Sequence, residues 1–344
     1  PDSLHALLME RVDRLGPAKE IVQAGAAIGR EFSYELLRAT VEMPDSQLRN
    51  ALDLFVASGL MFQEGKIPLA TYHFKHALVQ EAAYSTLPKK PRRVLHARIA
   101  TTLESRFAEW VNREPELLAY HYEQAGLAGP AVEYWHRAAR RDAERSANIE
   151  ALNHFNRALE LLKELPQGAE RNALELELLL ARGAPLLSVK GYASDEMEHN
   201  YRRAKELLQE GSNPVQQHRV IQGLWVFHLV RGQLANARGL ADNLLALATR
   251  EQSSDLLIEA HLRLGGTYFY LGRFEEARTH LLTTISLYDP NQHRSHALLY
   301  GQDPGITARI WLAWTVWILG EVEHAETLAQ EALGKARELE HPFT

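Results

Sequence analysis

Apolar residues recur along most of this chain at intervals of three and four, the spacing of one helix face, and one short stretch departs from it. From Ser3 to Ala27, the residues Leu4, Leu7, Leu8, Val12, Leu15, Ile21 and Val22 keep helical spacing, and Gly16-Pro17 breaks the run into two predicted helices. A third helix is predicted from about Ser33. A fourth is predicted after Pro44, where Asp45 is placed to cap it, Leu48, Leu52, Phe55 and Val56 form its apolar stripe, and Gly59 ends it. Then the period shortens. Leu60–Glu64 and Thr71–His76 flank a Gly-Lys-Ile-Pro turn, which reads as a short β-hairpin, and a further helix runs on to Leu87.

Several helices with one small hairpin predict a winged-helix domain over residues 1–87. Pro88–Pro91 marks a boundary, followed by one more amphipathic helix, Arg92–Phe107. Beyond it the pattern repeats. In His261–Pro290, Leu264, Gly265, Tyr268, Gly272, Phe274, Ala277 and Leu281 occupy the offsets of a tetratricopeptide repeat, in which small residues let two antiparallel helices approach and large ones fill the gap. Leu118, Tyr122, Gly126, Ala131, Trp135 and Ala138 give another copy; Leu224, Gly232, Ala237 and Ala241 a third; Leu312, Gly320, Ala325 and Ala329 a fourth. Ala151, Phe155 and Ala158 repeat the second half alone. The expected fold is mainly α: a winged-helix domain followed by a TPR-like α-helical superhelix over 88–344. Asp289–Gly305, rich in Pro, Gly, Asn and His, is expected to be a large loop.

Composition narrows the setting. A hydrophobic fraction of 46% argues against a disordered chain, and a net charge of −6 gives no sign of a nucleic-acid partner. With no cysteine, disulfides and thiolate metal sites are excluded, which fits a reducing compartment. No apolar run is long enough to span a membrane and no signal peptide is apparent, so a cytoplasmic location is expected. The chain opens at Pro1 rather than Met, and a fragment of something longer is expected.

The segments Phe74–Tyr84, Leu118–Gly126, Lys190–Leu207 and Tyr300–Gly320, in this order, resemble the C-terminal half of bacterial signalling ATPases of the STAND class. Many of those carry a class III adenylate or guanylate cyclase domain. The resemblance implies a parent ordered as effector, NTPase, winged helix and repeats. No G-x-x-x-x-G-K-[ST] loop is present, since Gly65-Lys66 is followed by Ile67 and Gly334-Lys335 by Ala336. No catalysis and no cofactor are therefore expected of this chain; ATP or ADP would belong to the parent.

His76 is the sharpest candidate residue. Its Phe-Lys-His-Ala-Leu setting is similar to the Met-His-Asp motif of switch ATPases, which implies a histidine touching the phosphate of bound ADP; the alternative is a histidine that caps or packs at a strand–helix junction. Phe269, Tyr270, Trp314 and Trp317 are candidates for a partner-binding groove on the first helices of the repeats, or else core rings. His73 and His76 have no third ligand nearby, His293 and His296, in the large loop with Asp303, read as solvated, and no metal is expected. The would-be recognition helix carries only Arg49 against Asp45 and Asp53, which argues against DNA, although a DNA-binding regulator with a repeat sensor is the rival reading. The expected partners are a protein or peptide in the repeat groove and the NTPase domain of the parent.

Overall fold

The computed structural model describes residues 18–209, 212–293, 296–297 and 302–339. The helix expected from Ser3 to Gly16 lies outside them. Two compact units divide the chain: residues 1–141 with 153–166, and residues 142–152 with 167–344.

The first unit begins with α1 (Lys19–Ile28), β1 (Glu31–Ser33), α2 (Tyr34–Thr40) and α3 (Asp45–Ala57). It continues with β2 (Met61–Glu64), β3 (Thr71–Phe74) and α4 (Ala77–Ser85). The three strands form one antiparallel sheet in the order β1-β3-β2, with Phe32 opposite Tyr72 and Met61 opposite Phe74. Alternation along β3 sends Tyr72 and Phe74 inward and leaves Thr71 and His73 half-buried. The inner face packs on Ile21, Val22, Leu48, Leu52 and Phe55, all buried. Gly25 makes this possible: a Cβ there would sit 2.5 Å from the Phe32 ring.

The expected hairpin is present, and β1 is added to it. Asp45 does not cap α3. Pro44 holds the cap position, and the Asp45 carboxylate accepts from the Tyr34 hydroxyl and pairs with Arg38 at 3.0 Å and Arg49 at 2.7 Å. Two side-chain donors from α2, Tyr34 and Arg38, and one from the next turn of α3, Arg49, outcompete the helix's first N–H groups for that side chain.

After α4 come α5 (Lys89–Arg106), α6 (Ala108–Arg113), α7 (Pro115–Ala125), α8 (Ala128–Glu144) and α9 (Asn148–Leu162). Gly126 closes α7 with φ +76°, a left-handed position glycine takes without a Cβ penalty. Between α5 and α7, His96 and His121 lie fully buried with their Nδ1 atoms 2.8 Å apart, and the Tyr84 hydroxyl is 2.9 Å from His96 Nε2. Glu104 of α5 accepts from the hydroxyls of Tyr122 and Tyr134 at 2.5 and 2.7 Å. Those two hydrogen bonds, Tyr122 first, hold its carboxyl below the usual range.

The second unit is built of helical hairpins. They are α10 (Ala169–Lys190) with α11 (Asp195–Leu207), α12 (Pro214–Val230) with α13 (Leu234–Glu251), and α14 (Ser254–Tyr270) with α15 (Phe274–Leu287). One further turn, α16 (Pro290–His293), precedes the last pair, α17 (Pro304–Ile318) with α18 (Val322–Leu339). A cluster of Trp225, Ala237, Ala241, Leu264, Tyr268, Ala277, Leu281, Leu312 and Ala325 joins the three later pairs into one core. Each leucine fully buried in it contributes about 1.5–3 kcal/mol. The small positions set the helix spacing: a Cβ on Gly265 would lie 2.6 Å from Leu281 Cγ.

Part of the segment expected as a solvated loop is not solvated. His293 and His296 are buried, His293 Nε2 at 3.3 Å from Asp255 and His296 Nδ1 at 2.9 Å from Glu259. Two carboxylates one turn apart on α14 draw in two imidazoles one turn apart in the segment. That pairing spans 37 residues at His296, so no local pattern announces it.

Candidate functional site

His76 sits at the N-cap of α4 in extended conformation, with φ −138° and ψ 144°. Its carbonyl accepts from the Val79 N–H at 3.0 Å, its side chain makes no capping bond, and its imidazole is exposed beside exposed Leu78. An exposed imidazole at a helix N-terminus is open to an anion, because the first N–H groups of a helix have no intrahelical acceptor. His73, three residues before, is taken up otherwise: it lies 3.4 Å from Glu31 and 3.3 Å from Glu64 and stacks on Phe62.

The four aromatic candidates belong to two successive hairpins. Phe269 is half-buried, its ring 5.4 Å from Tyr270, 5.8 Å from Phe274 and 6.0 Å from Trp314. Tyr270, Trp314 and Trp317 are exposed by 51%, 47% and 62%, too much for core rings. The turn glycines Gly272 and Gly320 are 48 apart (320 − 272), so the two hairpins superpose by number. Gly266 then corresponds to Trp314, Phe269 to Trp317 and Leu281 to Ala329.

That correspondence explains the exposure. In the earlier hairpin, α17 covers this face: the Trp311 ring fills the place of a Gly266 Cβ, and Trp314 lies against Phe269. In the last hairpin the same face is an open apolar groove of about 500 Å³, lined by Trp314, Trp317, Val322, Ala329 and Leu333. Leu281 is fully buried while its counterpart Ala329 is exposed. Among the described residues the groove has the wall of a repeat interface without its second side. In sequence, Trp314 and Trp317 stood out as groove candidates, Ala329 only as a small position of the repeat, and Leu333 not at all. Comparing the hairpins position by position, with Trp314 standing where Gly266 stands, was the signal that could have found them.

Another polar cluster went unseen in sequence. On α14, Glu259 and Arg263 are fully buried and paired at 3.0 Å; the guanidinium lies 5.1 Å from the centre of the Trp225 ring, and Trp225 Nε1 donates to Thr267 Oγ1 at 2.8 Å. Desolvation, then the charges of Arg263 and His296, push the nearby His218 down to about 3. Among the described residues no three metal-ligating side chains come together, and no helix is long and apolar enough to cross a membrane.

The architecture is that of a mainly α protein with helical-hairpin repeats and one small sheet. No family model matches the chain. It is 26% identical over 351 residues to R02095, an uncharacterized protein of Rhizobium meliloti (strain 1021), covering 98% of this chain and 33% of that protein; the chain thus spans about a third of that relative's length. Among solved structures, the apo form of RapI is similar with a TM-score of 0.48 and 13% identity, over 96% of this chain and 77% of that one. The STAND protein with a tetratricopeptide repeat sensor, PH0952 of Pyrococcus horikoshii, is similar with a TM-score of 0.40 and 13% identity, over 97% of this chain and 53% of that one.

Proposed function

We propose that this chain is a regulatory region without catalytic chemistry of its own, part of a longer, cytoplasmic signalling ATPase of the STAND class, in some members cyclase-linked. Residues 1–87 act as a winged helix that clamps the parent's NTPase domain, and the helical hairpins bind a protein partner. Partner binding shifts the clamp between two states, which requires different affinities for the two. The observation that carries the reading is the open groove of the last hairpin, with Trp314 and Trp317 presented at its wall. An apolar groove flanked by exposed indoles suits an amphipathic helix.

Crosslinking tests it. With p-benzoylphenylalanine in place of Trp317, a discrete adduct to another polypeptide is expected in cells, and none from the exposed position of Lys66. Equal labelling from both positions, or crosslinks formed only within the chain itself, would sink the partner reading.

The nucleotide of the parent is assigned to His76. In the longer ATPase, His76→Ala is expected to weaken ADP binding about tenfold, a loss of about 1.4 kcal/mol. Unchanged ADP affinity with unchanged basal turnover removes His76 from the clamp. The charge pattern of α2 and α3 favours the clamp over DNA, because Asp45 already holds both Arg38 and Arg49.

A further inference from the structure

Two pairs of histidines among the described residues face each other through Nδ1, and their surroundings differ. His96 and His121 are fully buried, with the Tyr84 hydroxyl on the far nitrogen of His96. Burial is the main cause that lowers both, and Arg92 adds to it at His96, so a cation placed there would be desolvated beside a guanidinium. That pair is structural.

His261 of α14 and His280 of α15 stand 2.9 Å apart and are only half-buried, with ring centres 5.1 Å apart. Burial holds both below the ordinary imidazole range, followed at His261 by the charge of His280. At His280 burial outweighs the pull of two carboxylates, Asp242 of α13 and Glu276 of α15. Tyr268 stacks on His280 at 5.4 Å with the planes 7° apart, which fixes that ring. Two neutral imidazoles thus point their Nδ1 atoms at one spot that solvent reaches, beside two carboxylates.

We propose that His261 and His280 bind a zinc-class divalent ion through both Nδ1 atoms, with Glu276 closing on it as third ligand and water as the fourth. Neutral imidazole and carboxylate are donors that zinc takes in a tetrahedral set, whereas magnesium and calcium prefer oxygen alone. Two nitrogens about 2.0–2.1 Å from one tetrahedral zinc stand about 3.3 Å apart, so the pair needs to part only slightly. In the metal-free pair one Nδ1 carries a proton and donates to the other. With the ion bound, that proton sits on Nε2 of its own ring, and both rings stay neutral. Among the described residues no third His, Asp or Glu is already in ligand position, so one has to swing in. Glu276 stands one turn before His280 on the same face of α15, and what holds it is a half-exposed pair with Arg273. Such a pair contributes little, so giving it up costs little. Arg273 keeps its place over the Tyr268 ring, 4.8 Å from its centre. The ion ties α14 to α15 and makes the stability of the second unit depend on zinc. None of the residues assigned to partner or nucleotide takes part, so this inference and that reading fail separately.

Isothermal titration calorimetry of the full chain, stripped of metal and held at pH 7.5, tests it. One Zn²⁺ per chain is expected to bind with Kd tighter than about 100 µM, at least tenfold tighter than Mg²⁺. His261→Gln and His280→Gln should each weaken binding at least tenfold and Glu276→Gln several-fold, while His324→Gln, at an exposed histidine, leaves it unchanged. Zn²⁺ at about a hundred times Kd should raise Tm by about 5–10 °C in the parent chain and not in His280→Gln. Long-range ¹H–¹⁵N spectra should show the Nδ1–H of His261 or His280 give way to Nε2–H when zinc is added. Should a histidine variant fail to fold, Glu276→Gln, on a half-exposed side chain, carries the test. Weaker zinc binding than the stated limit, an affinity indifferent to the His261, His280 and Glu276 variants, or equal binding of Mg²⁺ overturns the inference.

Discussion

Glu259→Ala is expected to destabilise the second unit by about 3–5 kcal/mol, because it leaves a buried guanidinium without its carboxylate. Glu259 accepts from Arg263 Nη2 at 3.0 Å and contacts His296 Nδ1 at 2.9 Å, and all three side chains are buried. Thermal unfolding followed by circular dichroism should show Tm lower by about 10 °C, given roughly 2–4 °C per kcal/mol for a unit of this size. The double variant Glu259→Leu with Arg263→Met should recover most of the loss, since a desolvated ion pair replaced as a whole by apolar groups is close to neutral. A single variant within 1 kcal/mol of the parent would show that the pair is hydrated in solution.

Mild acid should weaken both units well before carboxylates titrate. Burial, with a smaller contribution from Arg92, lowers His96 to about 4; burial, then His96, lowers His121 to about 3; His218 in the second unit is lowered to about 3. Unfolded imidazoles titrate near 6.5, so between there and about 4 the unfolded chain binds protons that the native one does not. Stability from these groups is therefore complete above pH 6.5 and is lost as pH falls. At pH 5 the loss is about 2 kcal/mol per imidazole, somewhat less than additive for the touching pair His96 and His121. Urea unfolding from pH 7.5 to 4.5 measures it, and His218→Gln should flatten the slope of the second unit by about 1.4 kcal/mol per pH unit. Midpoints that stay level from pH 7 to 5 would refute the buried, neutral state of these rings.

The hairpins were legible because their information is local. Leu264, Gly265, Tyr268, Gly272 and Ala277 fix two helices and a turn within fourteen residues, and Gly272 takes φ +72° where the pattern placed the turn. The hairpin of β2 and β3 was equally plain, since alternation shows within a few residues. Strand β1 was not: Glu31–Ser33 is three residues between two helices, too short for a period, and it exists through its pairing with β3. The hairpin of α10 and α11 was hidden for another reason. Its close contact is made by the Tyr201 ring against Gly183 and Gly223, an aromatic into two glycines on different helices, with none of the usual offsets. His293 and His296 were misread because their partners, Asp255 and Glu259, lie in a helix far back along the chain.

The same limit applies to the candidate groove. Spacing put Trp314 and Trp317 on a helix and left open whether they were core or surface, since both can follow an apolar stripe.

What the sequence determined by itself is the set of helices, their turns and the closeness with which each pair packs, because period, turn glycines and small residues act between neighbours in the chain. Which faces those pairs cover was decided by tertiary structure alone. Ala241, Leu281 and Ala329 occupy equivalent places, yet the first two are buried and the third is exposed, because burial depends on what lies across the interface. A face becomes a binding surface when no neighbouring helix covers it, and that is a property of the packed molecule.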